Sequence, residues 1–288
     1  MFFGDMDMAE FFDMLSGNPG VKLVDLWYDT PFYLLEDDAR RKDIVAIARK
    51  RLLELGVEVV THATAFDVNP IAYSPAAQRL TLDESKKSLV FANQAGARLV
   101  TLHGGFSSFI DRVSRFDLVL LERFINELIE YIKDQKLDIM LCIENDAASD
   151  TMSRPFEALN ILNDMLDKHP ALGCTVDLAH VLKTTIMEET CRVREQRLDC
   201  KHLPAFAKRY ADRIKVLHFS SPTKYRTHGR VDLSGSSIFF DTLQSIKQSV
   251  DLDKMACIFE YALEDFDSPA TAMAAIAADA STLAKKLR

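Results

Sequence analysis

RFDLVLLERFINELIEYIKDQKLDIMLCIEN (115–145) decides the fold. Its first part reads as a long helix over 115–135, and LDIMLCIEN reads as a strand. Leu141, Cys142 and Ile143 end that strand as a buried apolar run, and Glu144 follows. A carboxylate at the end of an apolar strand needs a partner, because a buried unpaired charge is costly.

The same unit recurs along the chain. VKLVDLW (21–27) and VEVVTHA (57–63) are strands, joined by a helix over 37–56 whose apolar Ile44, Ile47, Ala48, Leu52 and Leu55 keep helical spacing and which stops at Gly56. A helix is expected over 80–97, opening at Thr81 with Glu84 in capping-box position and ending at Gly96. ARLVTLHGG, LGCTVDLAH, DRIKVLHFSS and KMACIFEYA are further strands. PFEALNILNDMLDKH, SSIFFDTLQSIKQSV and SPATAMAAIAADASTLAKKL are helices between or after them, the first opening at Pro155. Residues 181–211 read as helix broken around Cys200–Pro204. MFFGDM supplies a first strand, followed by a helical MAEFFDMLSG. Eight βα units without hairpin signals, in 288 residues, imply an α/β fold: a single-domain (β/α)8 barrel spanning 1–288. No GxGxxG or GxxxxGK[ST] follows a strand, which weakens nucleotide-binding readings.

Composition is that of an ordinary globular protein, 48% hydrophobic and 27% charged, and no apolar run reaches membrane-spanning length. The acid-interrupted N-terminus lacks the basic region of a signal peptide. Five cysteines, none in CxxC, argue for reduced thiols and against a cysteine zinc site, so a cytoplasmic protein is expected. The formal net charge of −8 argues against broad nucleic-acid binding.

Six consecutive strands end in the same way, at His62, His103, Glu144, Asp177, His218 and Glu260, with His180 just beyond the fourth of these. Four of the seven histidines fall at these places. A single strand-end His is more often a satisfied rim residue than a ligand, and a single Asp or Glu often caps the next helix. Six together, on the rim where barrel active sites form, are hard to ascribe to chance. Clustered carboxylates repel unless a cation joins them, so Glu144 is expected to bind metal. Mixed imidazole and carboxylate donors suit Zn²⁺ or Mn²⁺ better than Ca²⁺, with Mg²⁺ also admitted. KYRTHGR (224–230) gathers Lys224, Arg226, His228 and Arg230, as a solvated loop, a phosphate clamp or a source of another ligand. Trp27 ends a strand and suits rim packing or sugar stacking.

HATAFDVN, VTLHGG, IEND, TVDLAH, VLHFS…THGRVDLSG and IFEYA, in this order, resemble the xylose-isomerase-like TIM-barrel superfamily, over about residues 21–262. That superfamily includes endonuclease IV and the sugar and sugar-phosphate isomerases and epimerases. The endonuclease pattern implies three zinc ions: one on His62, His103 and Glu144, one on Glu144, Asp177, His218 and Glu260, and one on His180 and His228. The third also takes an aspartate two residues before the last histidine, where this chain has Arg226. The endonuclease pattern further has a tyrosine three residues after the first histidine, here Ala65. The epimerase pattern implies one divalent ion on Glu144, Asp177, His218 and Glu260, with Glu144 and Glu260 moving the proton. His62 and His103 would then orient the substrate, and Arg226 would suit its phosphate or a hydroxyl. The departures at Arg226 and Ala65 favour a metal-dependent isomerase or epimerase of small sugars or sugar phosphates. The alternative is an endonuclease IV-like phosphodiesterase acting on abasic DNA. A non-catalytic ligand-binding barrel is a third reading, disfavoured because all six strand ends keep their chemistry. Barrels of this kind often pair, so a homodimer is admitted, and no membrane partner is expected.

Overall fold

The computed structural model describes residues 8–107, 115–145, 154–155, 159–191, 200–222, 227–235 and 237–287. Its strands are β1 (Leu23–Trp27), β2 (Glu58–His62), β3 (Leu99–His103), β4 (Phe106–Ser107), β5 (Met140–Glu144), β6 (Arg154–Pro155), β7 (Gly173–Asp177), β8 (Ile214–Phe219) and β9 (Ala256–Phe259). Its helices are α1 (Met8–Gly17), α2 (Pro31–Leu34), α3 (Asp38–Leu55), α4 (Pro75–Ala95), α5 (Arg115–Asp134), α6 (Leu159–Lys168), α7 (Leu178–Cys191), α8 (Leu203–Arg209), α9 (Ile238–Lys247) and α10 (Pro269–Leu287).

Seven strands form one sheet in the order β1-β2-β3-β5-β7-β8-β9, every pair parallel. The sheet curls to near closure, with β1 coming to lie beside β9. A cavity of about 240 Å³ remains at that seam, lined by Val24, Asp25, Ile258 and Met273 among others. The eighth strand expected at MFFGDM lies outside the described residues. This is a TIM-type barrel, built from strands buried on both faces.

Side-chain alternation sorts each strand into two faces. Outward residues such as Val100, Leu102, Leu141, Ile143, Val176, Leu217 and Phe219 join the helix layer in one apolar core. In α5, Leu121, Phe124, Ile125 and Leu128 are buried at helical spacing. Inward residues stack in layers. Val60, Cys142, Val216 and Ile258 pack together inside the barrel, and Thr101 and Thr175 share a hydrogen bond of 2.9 Å. Each of these six precedes a strand-end His, Asp or Glu by two residues, so the same face that carries them carries the site. Gly173 belongs to this packing: a Cβ there would stand 2.8 Å from Cys142 Sγ and 3.0 Å from Met140 Sδ.

Several local expectations change. α4 begins at Pro75, with Ser74 as its N-cap residue, so Thr81 lies inside the helix, where its hydroxyl accepts from Asn69 N at 3.0 Å. Proline fits the first turn because its missing N–H would have no intrahelical partner there. Pro155 belongs to β6, antiparallel to β4, and α6 begins at Leu159. Ile47 is exposed on α3, together with the basic residues Arg40, Lys42, Arg49, Lys50 and Arg51. The glycine stops hold: Gly56 and Gly96 end α3 and α4 with φ of 65° and 87°. No helix among the described residues is long and apolar enough to cross a membrane.

Candidate metal centre

All six strand-end residues converge at one mouth of the barrel, joined by His180 from α7 and His228 from the loop after β8. Among the described residues, three groups offer ligand atoms within 4.8 Å of one another: His62, His103 and Glu144; Glu144, Asp177, His218 and Glu260; and Asp177, His180 and His228. Glu144 and Asp177 are each shared between two groups, so the three form one continuous array.

Glu144 is the hub. Its Oε1 lies 2.8 Å from His218 Nδ1, while Oε2 lies 3.4 Å from His62 Nε2 and 3.5 Å from His103 Nε2. Glu260 Oε1 is 3.3 Å from the same His218 nitrogen, and its Oε2 is 3.6 Å from His228 Nδ1. Asp177 Oδ2 faces His180 Nε2 at 3.8 Å and His228 Nδ1 at 3.9 Å. The other Asp177 oxygen accepts from His180 N at 2.8 Å. One carboxylate therefore caps the start of α7 and still presents an oxygen to the site.

Backbone contacts orient two of the imidazoles. His62 Nδ1 lies 2.8 Å from Ala63 O, and His180 Nδ1 lies 2.8 Å from Asn145 O. A carbonyl only accepts, so Nδ1 carries the proton and Nε2 turns a lone pair inward. Asn145 also ties β5 to β7: its Nδ2 donates to Asp177 O at 3.0 Å, and its Oδ1 accepts from Asp177 N at 2.9 Å. His228 is held by Ser220 Oγ at 3.2 Å, and its carbonyl accepts from Ala262 N at 2.7 Å.

The electrostatics are those of a largely buried charged cluster. Burial pushes Glu144 and Glu260 up, but His218 and its neighbours outweigh it and hold both below the usual carboxylate range. Burial pushes His218 down, yet Glu260 and Glu144 carry it well above 6.5. Asp177 ends raised, because burial outweighs the pull of His180 and His228. Asp177 Oδ2 makes no hydrogen bond among the described residues. A buried carboxylate oxygen without a hydrogen bond, beside two glutamates and an imidazole, belongs to a donor set that could hold a divalent cation.

Trp27 stacks on His62, ring centroids 4.1 Å apart, so it packs a site histidine. Lys224 and Arg226 lie outside the described residues. His169 sits before β7, at the opposite end of the strand, and His202 at the start of α8. Two residues escaped the sequence reading. Asn145 stands inside the quoted IEND motif, and Asp25 interrupts the apolar run of VKLVDLW. Asp25 is buried, and its Oδ2 lies 3.9 Å from His218 Nε2. The signal for it in the sequence is a carboxylate in mid-strand, away from the strand ends.

Against known proteins, a family profile described as xylose isomerase-like TIM barrel matches residues 4–282. No curated protein sequence matches the chain. Among solved structures, an L-ribulose 3-epimerase superposes with TM-score 0.67 at 15% identity, covering 97% of this chain and 89% of that one. A D-allulose 3-epimerase from Methylomonas sp. gives TM-score 0.66 at 14% identity, covering 100% and 95%. A 3-keto-D-glucoside 4-epimerase from E. coli gives 0.59 at 12%, covering 91% and 99%. At these identities the likeness is one of fold.

Proposed function

The chain belongs to the xylose isomerase-like TIM barrel family, and from that membership we propose that it is a divalent-metal-dependent epimerase or isomerase of small sugars or sugar phosphates. The observation that carries this reading is the buried tetrad Glu144, Asp177, His218 and Glu260. Its donors fit Zn²⁺ or Mn²⁺, and Mg²⁺ is compatible. An ion held there supplies Lewis acidity to substrate oxygens beside the carbon that exchanges its proton.

The chain's own groups do the rest. Glu144 and Glu260 reach His218 Nδ1 from two strands. One, as the carboxylate, would take the substrate proton, and the other, entering the cycle protonated, would deliver its own to the opposite face. His62 and His103, both near Glu144 Oε2, would orient the substrate hydroxyls. His103 and His228 are the more open members, at 20% and 37% exposure, so substrate would enter between them. The L-ribulose and D-allulose epimerases named above support the substrate class.

The test is solvent deuterium exchange across a panel of ketoses and ketose phosphates with the metal-loaded chain. Deuterium should enter the carbon beside the carbonyl, and Glu144→Gln should abolish its entry. No exchange with any member by fully loaded protein would overturn the reading.

The two flanking groups, His62–His103–Glu144 and Asp177–His180–His228, favour one second reading, a multi-ion phosphodiesterase. Two or three zinc ions per chain, with nicking of an abasic-site duplex, would establish it. An intact duplex would remove it.

A further inference from the structure

His218 faces the centre the opposite way round from His62 and His180. Its Nδ1 points at Glu144 Oε1 and Glu260 Oε1, at 2.8 and 3.3 Å, and its Nε2 points away. To offer Nδ1 as a donor, the ring must keep its proton on Nε2. That N–H is buried and needs an acceptor. Among the described residues, no backbone oxygen takes the part that Ala63 O plays for His62. Among the described residues Nε2 makes no hydrogen bond, and neither does either oxygen of Asp25, 3.9 Å away.

Neither side chain has exposed surface. Asp25 pairs in register with Val60, part of the apolar layer beneath the site. A carboxylate there is costly unless something uses it. Asp25 is in none of the three ligand groups. The separation exceeds an ordinary N–H···O distance of about 2.9 Å by about 1 Å.

We propose that Asp25 is a positioning residue of the metal centre: it accepts the Nε2–H of His218, fixes the tautomer that turns the Nδ1 lone pair toward Glu144 and Glu260, and strengthens that donor. The inference rests on the tetrad being a metal centre. It makes β1 part of the site, through a residue that touches neither ion nor substrate.

The experiment compares wild type, Asp25→Leu and Asp25→Asn as full-length chains. Leucine keeps the branched shape and has no acceptor, whereas asparagine keeps an acceptor oxygen. Affinity for Mn²⁺ and Zn²⁺ is measured by chelator competition, and the His218 ring nitrogens are followed by ¹⁵N NMR in the Zn²⁺-loaded protein. Asp25→Leu should bind about 10–100-fold more weakly and show a mixed His218 tautomer. Asp25→Asn should lose less than about ten-fold and keep Nε2–H. Ion-free melting temperatures should not fall, since an unpaired buried carboxylate has gone. Wild-type affinity with unchanged His218 resonances in Asp25→Leu would overturn the proposal. Equal loss in both variants, tracking lost stability, would also overturn it. If leucine prevents folding, Asp25→Val takes its place, and wild-type affinity with unchanged His218 resonances in that variant would overturn the proposal. Wild type that takes up no ion would sink the metal centre, and this proposal with it.

Discussion

Glu144 Oε1 lies 2.8 Å from His218 Nδ1, although their strands β5 and β8 are not neighbours: β7 runs between them in the sheet. The contact exists because the barrel curls, so side chains at matching ends of separated strands meet across its mouth. Substitutions at the mouth should therefore affect metal binding more than folding.

Asp177→Asn separates two roles of one residue. The amide oxygen still accepts from His180 N, so α7 keeps its start. The inward atom becomes an NH₂, which cannot ligate. Metal per chain, read by elemental mass spectrometry, should fall to background. The ion-free melting temperature should hold or rise, since burial already disfavours the Asp177 carboxylate. Full metal content in this variant would remove Asp177 from the ligand set.

The pH response follows from His218. Its folded pKa is raised above 6.5, because Glu260 and Glu144 overcome the effect of burial. In the ion-free chain its charge therefore contributes stability that is fully present below about 6.5 and lost as pH rises through the raised value. Ion uptake must displace that proton, so metal affinity should increase with pH up to the same value and then level off. Calorimetry in buffers of different ionisation enthalpy should show about one proton released below it. Glu144 and Glu260, both lowered, contribute stability that fades only as pH falls through their depressed values.

Gly105→Ala should destabilise the rim beside His103. Gly105 has φ of 92°, and an added Cβ would stand 2.4 Å from Asn69 Oδ1 and 2.9 Å from Pro70 Cδ. Asn69 is clamped in place, with Nδ2 donating to Phe106 O at 2.9 Å and Oδ1 accepting from Phe106 N at 3.0 Å. Left-handed strain alone costs about 1–3 kcal/mol, and urea titration should register at least that loss. An unchanged midpoint would show that the rim yields freely.

Asp279→Ala should loosen the loop that carries His228. Asp279 accepts from Arg230 Nε and Nη2, both at 2.8 Å, and from the buried Tyr261 hydroxyl at 2.9 Å. Half of the Arg230 side chain is exposed, so its ion pair contributes little. Leaving the Tyr261 hydroxyl unsatisfied costs about 1–3 kcal/mol. Denaturant unfolding should show that loss, and proteolysis after Arg230 should quicken. Tyr261→Phe in the same background should recover part of the stability.

Much of this protein is written locally in its chain. The βα alternation and the glycine stops at 56 and 96 depend only on neighbours in sequence, and both are legible there. His62, His103, Glu144 and Asp177 close their strands as the apolar runs imply, while His218 is next to last and Glu260 one beyond. The helix starts at Pro75 and Leu159 are not legible locally, because competing signals, Thr81 with Glu84 and Pro155 before a helical pattern, are as good.

Tertiary structure decided what no window of sequence contains. It placed Asp25 behind His218, turned His218 with Nδ1 inward, and made Asn145 the clamp between β5 and β7. These depend on strand register, tilt and curl, which are set by packing between residues far apart in the chain. The sequence by itself determined which side chains stand at the strand ends, because alternation is a property of the backbone. Only closure of the sheet determined which of their atoms meet.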